Sequence, residues 1–165
     1  MDFARILRHL AVSPLAVKRA FPGPALAAIE AAIAEAERSH AGEIRFAVEA
    51  ALELSALLRG QSSRERALAA FSRLGVWDTE HNNGVLIHVL LADRDVEIVA
   101  DRGIHERVGA DGWEKLCQSM EAAFRRGDFE GGALSGIRAV SEHLRRHYPA
   151  QPRRSNELPD RPAIL

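Results

Sequence analysis

The side chains best placed to do chemistry in this sequence are Asp78, Glu80, His81, Asn82, Asn83, Asp101, Arg102, His105 and Glu106. They flank two apolar runs, Gly84–Leu91 and Val96–Ala100, separated by Asp93-Arg94. Read as a hairpin, the two runs bring both polar flanks to one end. A mixture of carboxylates and amide oxygens suits a hard cation such as Ca2+ or Mg2+, which takes oxygen ligands. The expected ligand set is Asp78, Asn82, Asn83 and Asp101, with Glu43 joining from an earlier strand. A cation there could hold and polarise a phosphate, which is how metal-assisted hydrolysis begins. Asp78 and Asp101 are then the catalytic candidates, and Arg102 would stabilise the developing phosphoryl charge. The plainer alternative is that Asn82-Asn83-Gly84 only turns the chain.

Other reactive residue types read as structural. His88 is the one polar break in an apolar strand and suits a core position, or one facing an incomplete helix layer. Cys117 lies on an apolar helical stripe between Trp113 and Met120, which points to packing. His143 and His147, beside Arg145 and Arg146, fit a basic helix end that complements the dipole. A second acidic set, Glu49, Glu53, Asp93 and Asp95 with Arg94, belongs at the opposite end of the strands. That is the end where α/β sheets ordinarily take ligands. The sequence has no phosphate-binding glycine loop, paired-thiol motif, zinc-protease helix motif or serine-nucleophile elbow.

The elements that must position these residues follow from periodicity and punctuation. Pro22-Gly-Pro24 opens a helix over Ala25–Arg38 with a stripe of Leu26, Ile29 and Ile33. Glu43–Glu49 alternates as a strand. Ala50–Gly60 fits either a strand continuation or a short helix. Ser62 and Glu65 form a capping box for a helix that buries Leu68, Phe71 and Leu74 and stops at Gly75. Helix between strands implies a right-handed crossover and a parallel pair. A two-residue turn at Asp93-Arg94 would set Ala92 opposite Asp95, His88 opposite Val99 and Leu86 opposite Asp101. Ile104–Gly109 reads as a connector, Asp111 as the cap of the next helix, and Asp128 as the cap of the last, which ends before Pro149. The expected fold is α/β: a small mixed sheet of three or four strands, one crossover plus a hairpin, sandwiched between helices.

Composition sets the outer limits. With 165 residues, 47% apolar, 27% charged and a net charge of -1, the chain is a single ordinary domain with no basic excess for nucleic acid. One cysteine excludes an internal disulfide. No apolar run approaches the ~18 residues of a membrane span, and the first residues lack a signal-peptide pattern, so a cytoplasmic protein is expected. Residues 1–21 form a basic amphipathic segment that either packs on the main domain or lies on an anionic membrane face. Residues 22–149 form the domain. The proline-bearing tail, 150–165, is expected to be exposed or loosely docked, with strand addition by its closing Pro-Ala-Ile-Leu as the alternative.

Several of these stretches together resemble the TPM domain family. The resemblance rests on Gly75-Val76-Trp77, then Asn82-Asn83-Gly84-Val85-Leu86-Ile87, the Asp93-Arg94 turn, Val96-Glu97-Ile98 and the Gly103-Ile104 exit. Gly42-Glu43-Ile44-Arg45-Phe46 is similar to that family's first strand. It covers roughly Ala25 to Tyr148 and implies a sheet of about four strands between helices. It also implies one of three roles: acid phosphatase, divalent-cation binder, or accessory factor for membrane complexes. The chain departs from the common pattern in lacking an export signal and anchor, and in carrying Asp101-Arg102 at the strand exit. The expectation is an accessory or interaction module, with a protein partner or membrane complex at the inner membrane face. The alternative is a cation-dependent phosphatase for phosphomonoesters.

Overall fold

A computed structural model describes residues 2–152 and 155–165; Met1 of the N-terminal segment and Arg153 and Arg154 of the tail lie outside the described residues. In chain order the helices are α1 (Phe3–Ala11), α2 (Leu15–Ala20), α3 (Gly23–Glu37), α4 (Leu54–Leu58), α5 (Ser63–Arg73), α6 (Arg102–Val108), α7 (Ala110–Arg125) and α8 (Phe129–His147). The strands are β1 (Glu43–Glu49), β2 (Gly84–Leu90), β3 (Asp95–Ala100) and β4 (Ala163–Ile164). The sheet order is β3-β2-β1-β4.

Alternation along the strands divides the molecule into two layers. Ile44, Phe46, Val48, Val85, Ile87 and Val89 face the larger core, which α3, α7 and α8 complete with Ile29, Met120 and Ile137 among others. Val17 and Phe21 of the N-terminal segment belong to this core, and the Phe21 ring meets Phe46, Phe124 and Phe129 edge-on. The other face carries Ala47, Leu86 and Val99, covered by Ala67 and Ala70 of α5. Those two alanines let α5 lie close to the sheet, and Leu68, expected inside, is 47% exposed. This thinner layer leaves room for polar groups: Arg45, Glu49 and His88 all lie beneath it, buried.

The crossover is as expected, with β1 parallel to β2 and Glu43 beside Gly84. The Ser62 capping box forms, with Ser62 Oγ accepting from Glu65 N and the Glu65 carboxylate accepting from Ser62 N. The helix stops at Gly75, whose φ of 67 is the left-handed value that favours glycine. Gly84 is required for a different reason. A Cβ on it would lie 2.1 Å from the Val76 carbonyl oxygen, so the Gly-Val-Trp turn and the start of β2 can meet only if that residue has no side chain.

Five local expectations are changed or settled. The hairpin turn is wider than two residues: Leu90 pairs with Asp95, His88 with Glu97 and Leu86 with Val99. The slip is by two positions, so each side chain keeps its face. Arg94, at φ 54, takes the left-handed position that closes the wider turn. Ile104–Gly109 is mostly helix, since Arg102–Val108 forms α6 with Asp101 as its cap. The helix after it starts at Ala110 without a side-chain cap, behind Gly109 at φ 78. Ala50–Gly60 resolves as the short helix α4. Finally, the tail adds a strand: Ala163 and Ile164 pair in parallel with Ala47 and Val48.

Candidate functional site

The hairpin does bring Glu43, Asn83 and Asp101 to one end of the sheet. Asp101 N donates to Gly84 O at 2.8 Å and Glu43 N donates to Asn83 O at 3.4 Å. Most of their polar atoms serve the fold. Asn83 Nδ2 donates to Ala41 O at 2.9 Å, and Asn83 N donates to Thr79 Oγ1 at 3.1 Å. The Glu43 carboxylate accepts from Leu158 N at 3.1 Å and Glu157 N at 3.4 Å, and so clamps the tail. Asp101 Oδ1 accepts from Arg102 N at 2.7 Å and caps α6. Asp78, Asn82 and Arg102 are exposed on the same rim.

Two oxygens remain. Asn83 Oδ1 and Asp101 Oδ2 are buried without a hydrogen-bond partner. Oxygens of this type fit a hard cation, and exposed Asp78 and Asn82 could complete its shell. Among the described residues no group of three or more His, Cys, Asp or Glu side chains is arranged to hold a metal. Amide oxygens and water would therefore have to supply much of the coordination.

The strands' carboxyl end carries stronger electrostatics. The Asp93 carboxylate, at the hairpin turn, accepts from Arg5 Nε at 3.0 Å and Nη2 at 2.7 Å, from Ser63 Oγ at 3.1 Å, and contacts His9 Nε2 at 2.9 Å. Burial alone would raise its pKa, but the Arg5 guanidinium and the His9 ring hold it well below the usual carboxylate range. Glu49 accepts a fork from Arg66, Nε and Nη2 each at 2.7 Å, and lies 3.4 Å from His88 Nε2. It too is lowered: burial opposes ionisation, while His88 and Arg66 more than offset that cost. Cys117, pushed up to about 12 by burial, is an inert packing thiol.

The Asp93 hub is the feature sequence reasoning missed. Its signal was an Arg5-His9 pair at i, i+4 on the face of α1 opposite Phe3, Leu7 and Leu10. Arg45 was missed as well: Nη1 donates to Pro159 O and, at 2.8 Å, to Arg161 O, holding the tail against β1.

A family model described as the TPM domain matches residues 20–143. The chain belongs to the TPM domain family. Among solved structures it is similar to the BA42 protein of the psychrophilic bacterium Bizionia argentinensis. The two share 29% identity and a TM-score of 0.76, over 88% of this chain and 95% of that one. The N-terminal domain of a P. gingivalis protein has the same fold, with a TM-score of 0.61 at 18% identity over 85% and 94% of the two chains. No curated protein matches the chain. Within this TPM domain, the Gly75-Val76-Trp77 and Asn82-Asn83-Gly84 stretches are two sides of one backbone contact at Gly84. Among the described residues no helix is long and apolar enough to cross a membrane.

Proposed function

We propose that this TPM domain is a non-catalytic accessory module that docks peripherally on an anionic membrane surface, at the cytoplasmic face, to serve a membrane complex. The observation that supports this reading is the orientation of α1. An amphipathic helix on a globular domain ordinarily buries its apolar stripe. Here Arg5 and His9 face inward to Asp93, while Phe3, Leu7 and Leu10 are 71%, 67% and 63% exposed. Leu15, and Leu54 and Leu58 of α4, are also exposed. Arg8 and Lys18 are exposed in the same segment. Apolar side chains at i, i+4 and i+7 with nearby cations match what an anionic interface binds.

The wild-type chain should float with vesicles containing phosphatidylglycerol, and less well as salt rises or with phosphatidylcholine alone. Phe3→Ser, Leu7→Ser and Leu10→Ser together should weaken binding at least about tenfold, given the apolar area withdrawn. Because these residues are exposed, the thermal midpoint should hardly move. Equal flotation by the triple variant, or none by the wild type, refutes the membrane reading.

The two partnerless oxygens favour a second reading, a Ca2+- or Mg2+-dependent phosphatase acting on phosphomonoesters. Asp78, Asn82, Asn83 and Asp101 would hold the cation, with Arg102 toward the phosphoryl group. Glu43 is a weaker candidate, because its carboxylate already holds the tail. Asp101→Asn separates roles well, since asparagine caps a helix as aspartate does but brings no charge. On this reading, titrating either cation shifts amide resonances at Asn82–Gly84 and Asp101–His105, and Asp101→Asn abolishes both the shifts and hydrolysis of a generic phosphomonoester. Absent or scattered shifts, or hydrolysis indifferent to metal, would end it.

A further inference from the structure

A cavity of about 500 Å3 lies at the other end of the molecule from the Asn83 rim. That is within the ~300–1,000 Å3 range of small-molecule sites. Its apolar wall comes from four places: Val12 and Ala16 of the N-terminal segment, Val89 and Leu91 at the end of β2, Phe124 of α7 and Phe129 of α8. Arg19, Arg94 and Arg125 also line it, against one acid, Glu121. Glu121 is committed, with Oε1 accepting from Val96 N at 3.3 Å and Oε2 3.1 Å from Arg125 Nη2. Arg19 and Arg94 are exposed and belong to none of the ion pairs among the described residues. At this end of α7, Ala123 O accepts from Arg126 N and Asp128 N and Phe124 O accepts from Gly127 N, and three guanidinium groups outnumber the one carboxylate in the lining. Val89 and Leu91 place the cavity at the carboxyl end of the parallel pair, the side on which open α/β sheets ordinarily take ligands.

We infer that this cavity is a binding site for a single-chain anionic amphiphile, an acyl or alkyl chain bearing a carboxylate or phosphate head. The chain lies along Val89, Leu91, Phe124 and Phe129, and the head meets Arg19 and Arg94. An apolar wall selects for the chain, and a surplus of guanidinium groups selects for a negative head over a neutral or positive one. The site is separate from the outward face of α1, so it does not rest on the membrane reading.

The test is calorimetric titration of the full chain, below micelle-forming concentrations, with dodecanoate, dodecyl phosphate, dodecanol and dodecyltrimethylammonium. One anionic ligand should bind per chain, at least about tenfold more tightly than dodecanol, since a hydrogen bond to a charged group contributes roughly 1.5–3 kcal/mol. The cationic amphiphile should not bind. Shortening the chain should weaken binding by up to about fourfold per CH2 withdrawn from the cavity, and acetate and inorganic phosphate should bind far more weakly than either anionic amphiphile. Whichever anionic head binds more tightly identifies the class. Arg19→Gln with Arg94→Asn, the latter because asparagine tolerates a left-handed backbone, should weaken anion binding about tenfold and leave dodecanol unchanged. Ala16→Phe should fill the cavity and abolish binding of all chains. If that variant does not fold, the arginine pair still decides the matter. Dodecanol binding as tightly as dodecanoate, chain-free anions binding equally well, or indifference to the arginine changes overturns the inference. Phe3→Ser/Leu7→Ser/Leu10→Ser should leave these titrations unchanged, so this inference and the membrane reading can fail separately.

Discussion

Asp93→Ala is expected to release α1 from the domain and to lower stability by about 3 kcal/mol. The carboxylate is the only anion among the described residues that is ion-paired to Arg5, and it also contacts His9 Nε2 at 2.9 Å. His9 Nδ1 accepts from Leu52 N at 2.9 Å, so the ring proton is on Nε2, directed at Asp93. Removing the carboxylate leaves a buried imidazole and a largely covered guanidinium facing low dielectric. Breaking one side of a buried pair typically costs about 3–5 kcal/mol, and the partial exposure of Arg5 places this case at the lower end. Denaturant titration measures the loss, and amide exchange over Phe3–Ala11 measures the release. Protection of α1 that survives in Asp93→Ala would mean that Ile6, packed against the cluster of Leu52, Ala56, Leu57 and Leu90, carries the docking instead.

The same carboxylate sets a pH dependence. Its pKa in the folded chain is depressed, so its contribution is fully present above the unfolded value of about 4 and is lost as pH falls through the folded value. Glu49 has the same sign. Wild-type stability should therefore decline below about pH 4, and Asp93→Asn should have a flatter acid limb.

The second large effect is expected at Glu49. Glu49→Ala should cost about 3 kcal/mol. It removes the fork that holds Arg66 and the carboxylate 3.4 Å from His88, whose ring is fully buried with neither nitrogen hydrogen-bonded. Arg66 is less covered and can turn toward water, which limits the damage. Buried ion clusters are often replaceable by apolar residues at no net cost. Glu49→Leu, Arg66→Leu and His88→Leu in one chain should therefore recover to within about 1 kcal/mol of wild type. Denaturant midpoints at unchanged slope are the readout. A single Glu49→Ala costing under about 0.5 kcal/mol would show that the cluster is solvated and contributes little.

Much of the domain was legible in the residues alone, for reasons that are local. The limits of β1, the β2–β3 hairpin and the Ser62-Glu65 box depend on side-chain alternation or on hydrogen bonds three residues apart. Gly75 and Gly84 signal their roles because few residues suit a left-handed stop or a backbone carbonyl where a Cβ would sit. Asp101 was harder. It caps α6 without a glutamate three residues on, and Gly103 disguised the helix as a connector.

The candidate site was legible only as a gathering place. Sequence alone determined that Glu43, Asn83 and Asp101 meet at one end of the sheet, because strand direction and hairpin parity follow from pattern. Only the tertiary structure decided what those side chains are free to do. Glu43 is engaged by Leu158, 115 residues away, and Arg5 turns α1 inside out by reaching Asp93 across 88 residues. Periodicity reports which face of an element is apolar. It does not report which polar partner the folded chain will bring to that element, and here those partners decided whether a face was buried or left to solvent.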